Sequence, residues 1–413
     1  MSTHAPQRAA MDVAVLTAGS LAAAFAGFLV LAAAGHRLGP DGYAQFAVLW
    51  GAFYAVAGFL SGLQQETSRS VSIGRSSHSP DRGVPPIVGS LILGVLSAAI
   101  FGIVAPRLGA LATNDIEPMA WFVLSMGVVP LALYVSLCGS LAGLGHWRSL
   151  AGLVTAEGVI RLPLVPLLLT QGAKSVEHAA LTVAGPCIAL LALITSQTRA
   201  VAAVRGVTNF RGHLSRSCLA GITTGCSGLL ISGFPVLFLI ASGGPLTAEV
   251  GVIFAAITLT RAPILVPLNG LRLRLITWLT SHPVLDSSRD VARLVGLSIG
   301  ASLVFGVCCA ALGPVILQIA FGSAFHMSSL VLGGLGVSAV LTGLLTITGI
   351  VLVAADEHPG ASAGWVTALL ATTAAFALPL PTESLSVMAL SVGPTVGVAV
   401  HFVWHKSLQG VNR

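Results

Sequence analysis

The run "AVLTAGSLAAAFAGFLVLAAA", residues 14–34, holds no charged side chain and only two hydroxyls. It matches the roughly 20 apolar residues that an α-helix needs to cross a hydrocarbon core about 30 Å thick. Eleven more apolar runs follow it. Charged residues make up 8% of the chain and the mean hydropathy is +0.93. A soluble domain carries about 25% charged residues, so this chain cannot cover a water-facing surface. It must therefore sit in a membrane, either as helices or as a closed barrel. A barrel requires short segments of alternating polarity, and these runs do not alternate. The expected class is an all-α integral membrane protein, and the 47 Gly and 21 Pro suit membrane helices.

The apolar windows predict about twelve spans, near 13–35, 43–63, 84–105, 119–143, 149–170, 178–198, 218–241, 249–268, 291–312, 328–355, 360–379 and 384–404. Charge placement tests that count. With a cytoplasmic N-terminus, fifteen of the twenty Lys and Arg fall on the cytoplasmic side, while Arg37, Arg107 and Lys174 fall outside. Arg161 and Arg261 remain within spans. Cytoplasmic loops gather Lys and Arg in this way, so both termini are expected in the cytoplasm, with the chain in the cytoplasmic (inner) membrane. The net charge of +6 follows from this topology and adds a weak attraction to anionic membrane lipids. Nucleic acid is excluded as a partner, because the basic residues are scattered over separate loops.

The first hydrophobic run has no small-residue cleavage site after it and reads as a retained span rather than a signal peptide. Cys138, Cys187, Cys218, Cys226, Cys308 and Cys309 all lie in apolar runs without metal-ligand spacing, as small packing residues do. The histidines, His146 and His282 among them, are expected at span ends and loops.

An internal repeat organises the chain. Ala105-Pro106 and Gly313-Pro314 stand 208 residues apart. Gly185-Pro186 and Gly393-Pro394 have the same separation, as do Phe46-Ala47 and Phe254-Ala255. Three matches at one offset predict a duplicated six-helix unit. The expected domains are an N-terminal bundle at 1–198, a basic cytoplasmic linker at 199–217 and a C-terminal bundle at 218–413. An even number of helices per unit makes the copies parallel, and two parallel halves about a central cavity form a transporter plan that works by rocking.

Particular stretches carry a family resemblance. "RLGPDGYAQFAVLWGAFYAVAGFLSGLQQETSRSVS" (37–72) resembles the first loop and second helix of Wzx-like polysaccharide and lipid-linked oligosaccharide flippases. Their superfamily also includes the multidrug and toxin extruders (MATE) and the lipid II flippases. "LAGLGHWRSLAGLVTAEGVIRLPLVPLLL" (141–169) resembles the junction of the fourth and fifth helices in that family, and "AAITLTRAPILVPLNGLRLRLITWLT" (255–280) its eighth helix and following loop. "LGPVILQIAFGSAF" (312–325) resembles the exit of the ninth helix. The resemblance implies a MATE-like fold of about twelve helices in two six-helix bundles. It also implies movement of a polyprenyl-pyrophosphate saccharide across the membrane for cell-envelope polysaccharide assembly, with envelope glycosyltransferases or polymerases as candidate partners. One departure matters: residues 13–35 lack the basic side chains that several family members carry in the first helix.

The charges inside spans are the candidate substrate-binding residues. A charge at the bilayer centre costs about 2.5–3.5 kcal/mol on insertion scales, so Glu157 and Arg161 should face protein or a cavity. At i,i+4 they share one helix face and can pair. Arg161 either meets a pyrophosphate with its planar fork or forms a closed ion pair that locks helices together. Glu157 either steadies that fork, exchanges a proton, or serves only the pair. Arg261, two residues before Pro263, is a second cationic contact or a snorkelling helix-end residue. Arg69, with Glu66, Gln64 and Gln65, is an entry contact for the headgroup or a solvated helix end. Arg37 is a topological charge or an exit contact.

An enzyme is not expected, since no loop exceeds about twenty-five residues and there is no Walker motif. No cofactor is implied. Two other functions compete with the flippase. A proton- or sodium-coupled exporter of organic cations would use buried carboxylates, and a non-transporting scaffold would make the buried arginines dispensable.

Overall fold

The computed structural model describes residues 4–411 except 77–84, 113–115, 171, 194, 196–198, 202–203, 205–209 and 282–287. The end of the expected sixth span, much of the basic linker and His282 lie outside the described residues. Every regular element among the described residues is helical, which fits a chain that must satisfy its backbone inside lipid.

Helix α1 runs from His4 to Ser76 and is divided at Gly39 (φ 68°, ψ −179°). An unbroken apolar helix over Ala14–Gly74, 61 residues, would be about 90 Å long, three times the thickness of the hydrocarbon core. Gly39 takes a left-handed φ that costs a glycine little, and Pro40 brings no N–H to continue the ladder. The two arms are therefore separate spans, as the sequence predicts. Helices α2 (Pro86–Ala112) and α3 (Pro118–Leu144) each open on proline, whose missing N–H is harmless at a first helical position. Gly145, at φ 74°, closes α3, and the His146 N–H donates to the Leu141 carbonyl at 2.9 Å.

The next stretch is fragmented: α4 (Trp147–Val159), a 3-10 turn at Leu162–Leu164, α5 (Val165–Leu168), α6 (Ser175–Ala184) and α7 (Ile188–Ala192). Then come α8 (Phe210–Ile231) and α9 (Phe234–Ser242), bent by 75° to each other. The later elements are α10 (Ala248–Ser281), α11 (Ser288–Phe321), α12 (Ser329–Ala354), α13 (His358–Ala375) and α14 (Thr382–Val411). Among the described residues eight helices are long and apolar enough to cross a membrane, or nine with the bent pair as one span. That tally takes the two arms of α1 together. The remaining difference from twelve comes from α6 and α7, which Gly185-Pro186 separates, and from α13, whose 18 residues include His358, Pro359, two glycines and four hydroxyl side chains.

The chain divides into two compact units, residues 1–30 with 45–245 and residues 31–44 with 246–413. In the first, the second arm of α1 meets α8 through small residues. A Cβ on Gly62 would collide with the backbone of Gly221, and Gly58 faces Gly228. Membrane helices associate through such close backbone approach because lipid supplies no hydrophobic drive. In the second unit, α12 is the central element, packed on α10, α11, α13 and α14. The turn after the first arm of α1 is anchored in this unit. His36 Nε2 lies 2.9 Å from the Ile319 carbonyl, and Tyr43 meets Phe321 and Phe325 edge-on at 5.4 and 5.8 Å.

Large apolar side chains face outward along α2 (Leu91, Val95, Ile100, Ile103) and α11 (Leu303, Val307, Val315, Ile319). In water such stripes would aggregate, whereas against acyl chains they are at home.

Candidate functional site

The site is built where two helices fail. Pro163 has no N–H and its ring crowds the carbonyl four residues back, so α4 stops at Val159 and the chain turns at Arg161. Across from it α6 stops at Ala184, before Gly185-Pro186. Pro186 cannot donate to the Thr182 carbonyl as a helical residue would. Arg161 fills the vacancy at Thr182 and also caps a carbonyl of its own helix. Its Nε donates to the Thr182 carbonyl at 3.4 Å and its Nη1 to the Glu157 carbonyl at 3.1 Å. Nη2 donates to Glu157 Oε1 at 2.5 Å, closing an i,i+4 ion pair. A Cβ on Gly185 would overlap the guanidinium, so this position needs glycine for space.

The second arm of α1 presents Phe46, Trp50 and Tyr54 at spacings of four residues, a single helical stripe. The Arg161 guanidinium lies over Trp50 at 5.3 Å and Tyr54 at 5.7 Å from the ring centroids. Those rings are 4.8 Å apart. The Tyr54 hydroxyl donates to Glu157 Oε1 at 3.4 Å. Arg161 is 1% exposed and Glu157 14%, so both charges are compensated inside the first unit. Two aromatic faces, one guanidinium and one carboxylate are thus gathered at a single point. Aromatic faces attract cations and stack on planar or apolar groups, while a guanidinium fork suits phosphate oxygens.

One turn before Thr182, His178 meets Phe46 edge-on at 5.8 Å. Both of its ring nitrogens are buried without a hydrogen-bond partner. His178, His213 and His401 are all buried in the protein.

The other predicted residues lie elsewhere. Arg69 is 41% exposed and grips the buried Glu66 with a two-pronged pair, Nε to Oε2 and Nη2 to Oε1, both 2.8 Å. Arg261 is buried on α10, just ahead of Pro263 and Pro267, in the second unit. Arg37 is exposed in the turn before Gly39 and belongs to the same unit as Arg261. Arg161 and Glu157 are brought together as their spacing predicts. Trp50, Tyr54, Thr182, Gly185 and His178 were missed. The aromatic i,i+4,i+8 stripe and the Gly-Pro pair were visible in the sequence, yet nothing there pointed them at Arg161.

No protein-family model matches the chain. It is 34% identical over 398 residues to the uncharacterized protein Rv3630 of Mycobacterium tuberculosis (strain ATCC 25618 / H37Rv), covering 95% of this chain and 91% of that protein. The chain belongs to the family of Rv3630. The fold shown for this Rv3630 relative is that of the MATE transporters. An inward-facing multidrug resistance MATE family transporter of the MOP superfamily matches with a TM-score of 0.72 and 17% identity, over 94% of this chain and 95% of that one. A MOP superfamily transporter from Pyrococcus furiosus, described as having a binding pocket of reverse polarity that suggests a different function, matches with a TM-score of 0.66 and 17% identity, over 96% of each chain. This member of the Rv3630 family is a multi-pass membrane protein with a transporter fold.

Proposed function

We propose that the protein is an alternating-access transporter that moves a polyprenyl-pyrophosphate saccharide across the cytoplasmic membrane for cell-envelope polysaccharide assembly, as Wzx-like flippases do. In this reading both termini are cytoplasmic, residues 1–198 and 218–413 form the two six-helix halves, and membrane lipids hold the cargo's tail. The chain catalyses no covalent step. Envelope glycosyltransferases or polymerases are its candidate partners.

The observation that carries the reading is the grouping of Arg161, Trp50 and Tyr54. A diphosphate offers oxygens to a guanidinium fork, and a sugar ring offers C–H faces to aromatic rings. In the closed arrangement Glu157 occupies the fork. Cargo binding would exchange that carboxylate for phosphate, and Glu157 would then hold the Arg161 side chain or take up a proton. Arg261 is a second cationic contact for the headgroup, Arg69 an entry contact and Arg37 an exit contact. The Pyrococcus furiosus transporter, with its pocket of reverse polarity, supports a fold that accepts more than one kind of cargo.

One observation favours a second reading. Glu157, partly exposed beside Trp50 and Tyr54, would also hold an organic cation in an aromatic setting, as a proton- or sodium-coupled exporter requires. Binding to purified protein separates the two. Under the flippase reading a short-chain polyprenyl-pyrophosphate sugar raises thermal stability and Arg161→Gln abolishes the shift. Stabilisation by an organic cation, lost in Glu157→Gln and kept in Arg161→Gln, would favour the exporter.

A further inference from the structure

His401 of α14 is 2% exposed and ties three helices of the second unit together. Its Nδ1 lies 2.8 Å from the Thr348 hydroxyl on α12, and its Nε2 lies 3.2 Å from the Ala361 carbonyl on α13. The slot is cut by glycine. A Cβ on Gly364 would overlap the imidazole, and Gly349 faces Cε1. A carbonyl can only accept, so Nε2 carries a hydrogen and Nδ1 is the nitrogen free to change.

The partner of Nδ1 can work in either direction. Thr348 Oγ1 also reaches the Leu344 and Leu345 carbonyls on its own helix, at 3.0 and 3.1 Å. With neutral imidazole the hydroxyl hydrogen points to Nδ1. With imidazolium, Nδ1–H points to Oγ1 and the hydroxyl hydrogen turns to Leu344. Both states keep every ring hydrogen bond, and no heavy atom has to move.

Among the described residues the partners of the ring are Thr348 and Ala361, and no charged group is bonded to it. Helix α12 has no titratable side chain. Helix α13 has only His358, exposed beside Asp356 at 3.5 Å. Helix α14 adds Glu383 in its first turn, His405 and Lys406. Glu357, ahead of α13, accepts from the Trp404 indole N–H at 3.2 Å. Helix α10, packed on α12 and α14, brings Arg261 as its buried charge, and the Arg293 side chain of α11 is exposed. A small cavity lined by Thr348, Val351, Leu352, Phe402 and His405 adjoins the ring. His405, one turn along the same face, lines the same cavity.

We propose that His401 is a reversible proton-binding site of the second unit. It takes H⁺ from water at Nδ1 while the Thr348 hydroxyl hydrogen passes from Nδ1 to the Leu344 carbonyl. The proton that arrives remains on the ring, and none is released elsewhere. The site gives the proposed transporter a place for a driving ion, and in that use it rests on the transporter reading. Its existence does not depend on the cargo.

The test is nitrogen and carbon NMR of histidine-labelled protein in lipid nanodiscs without cargo, the His401 signals being assigned by their loss in His401→Gln. The expected result is protonation of Nδ1 as pH is lowered to 4.5, with Nε2–H unchanged throughout. Thr348→Val, which removes the acceptor of Nδ1–H, should lower proton affinity at least about tenfold, one pH unit. Thr348→Ser should restore it. His401 staying neutral to pH 4.5 in the unmodified protein would overturn the proposal, whatever the variants do. Equal titration in Thr348→Val and Thr348→Ser would overturn the hydroxyl's role. Failure of saccharide binding would leave this titration untouched, so the two readings fail separately.

Discussion

Removing the Arg161 side chain while leaving the Glu157 carboxylate in place should be among the most damaging single changes in the first unit. Arg161→Leu deletes three hydrogen bonds, two to backbone carbonyls and one to the Glu157 carboxylate. It also strands a carboxylate whose side chain is 14% exposed. Breaking one partner from a buried ion pair costs about 3–5 kcal/mol, mostly because the remaining charge stays buried. Replacing both partners with apolar groups is often far milder. Glu157→Leu with Arg161→Leu is therefore expected to be about 2 kcal/mol more stable than Arg161→Leu alone. The residual cost is the Thr182 and Glu157 carbonyls left without donors, at about 1–3 kcal/mol each. Thermal unfolding in one detergent, followed by tryptophan fluorescence, would read this as a loss of about 6–10 °C in the single variant at roughly 2 °C per kcal/mol. The double variant should recover several degrees. A double variant less stable than the single one would refute the argument, because the Tyr54 hydroxyl would then be enough to keep the Glu157 carboxylate stabilising without Arg161.

The same geometry makes further predictions. Gly185→Ala places a methyl group on the guanidinium and should cost about 1–3 kcal/mol by overpacking. In an Arg161→Leu background that cost should shrink below about 1 kcal/mol, read in the same unfolding assay. Trp50→Ala removes one aromatic face from Arg161 and should lose about 2 kcal/mol of cation–π stabilisation in this desolvated setting, beyond the packing cost. Comparison with Trp50→Leu isolates that part. Gly62→Val drives a side chain into the Gly221 backbone, so α1 and α8 should separate. Cysteine crosslinking between the two helices, efficient in the parent, should fall sharply.

Much of the architecture was legible because the membrane leaves a chain few options. Length of apolar run and placement of arginine locate helices whatever packs against them, and "HRLGPDGY" marks the break within α1 through Gly39 and Pro40. Prolines were harder to read. Gly185-Pro186 and Gly393-Pro394 look alike at their 208-residue offset. The first ends α6, whereas the second lies inside the 30-residue α14. What differs is the neighbour. At Gly185 the freed carbonyl and the missing Cβ make room for Arg161, while Gly393 lets α14 press onto Thr372 and Ala368 of α13. No local pattern distinguishes these outcomes. The site divides in the same way. Arg161 and Glu157 were found because their spacing is local and a charge in lipid demands an explanation. Trp50, Tyr54 and Thr182 were not, because they meet Arg161 only through tertiary packing across about a hundred residues or across a break between helices. His401 escaped for a related reason, since Thr348 and Ala361 approach it from two other helices.

The central claim is that this chain carries an anionic lipid-linked sugar by way of Arg161. The most direct measurement uses purified protein in liposomes containing a fluorescent polyprenyl-pyrophosphate sugar, with an impermeant quencher added outside. The account predicts that the unmodified protein moves the sugar between leaflets. It predicts no movement by the folded Glu157→Leu, Arg161→Leu double variant. Equal movement by both proteins would remove Arg161 from the cargo path. No movement by either, with proton-driven uptake of an organic cation in the same vesicles, would contradict the claim itself.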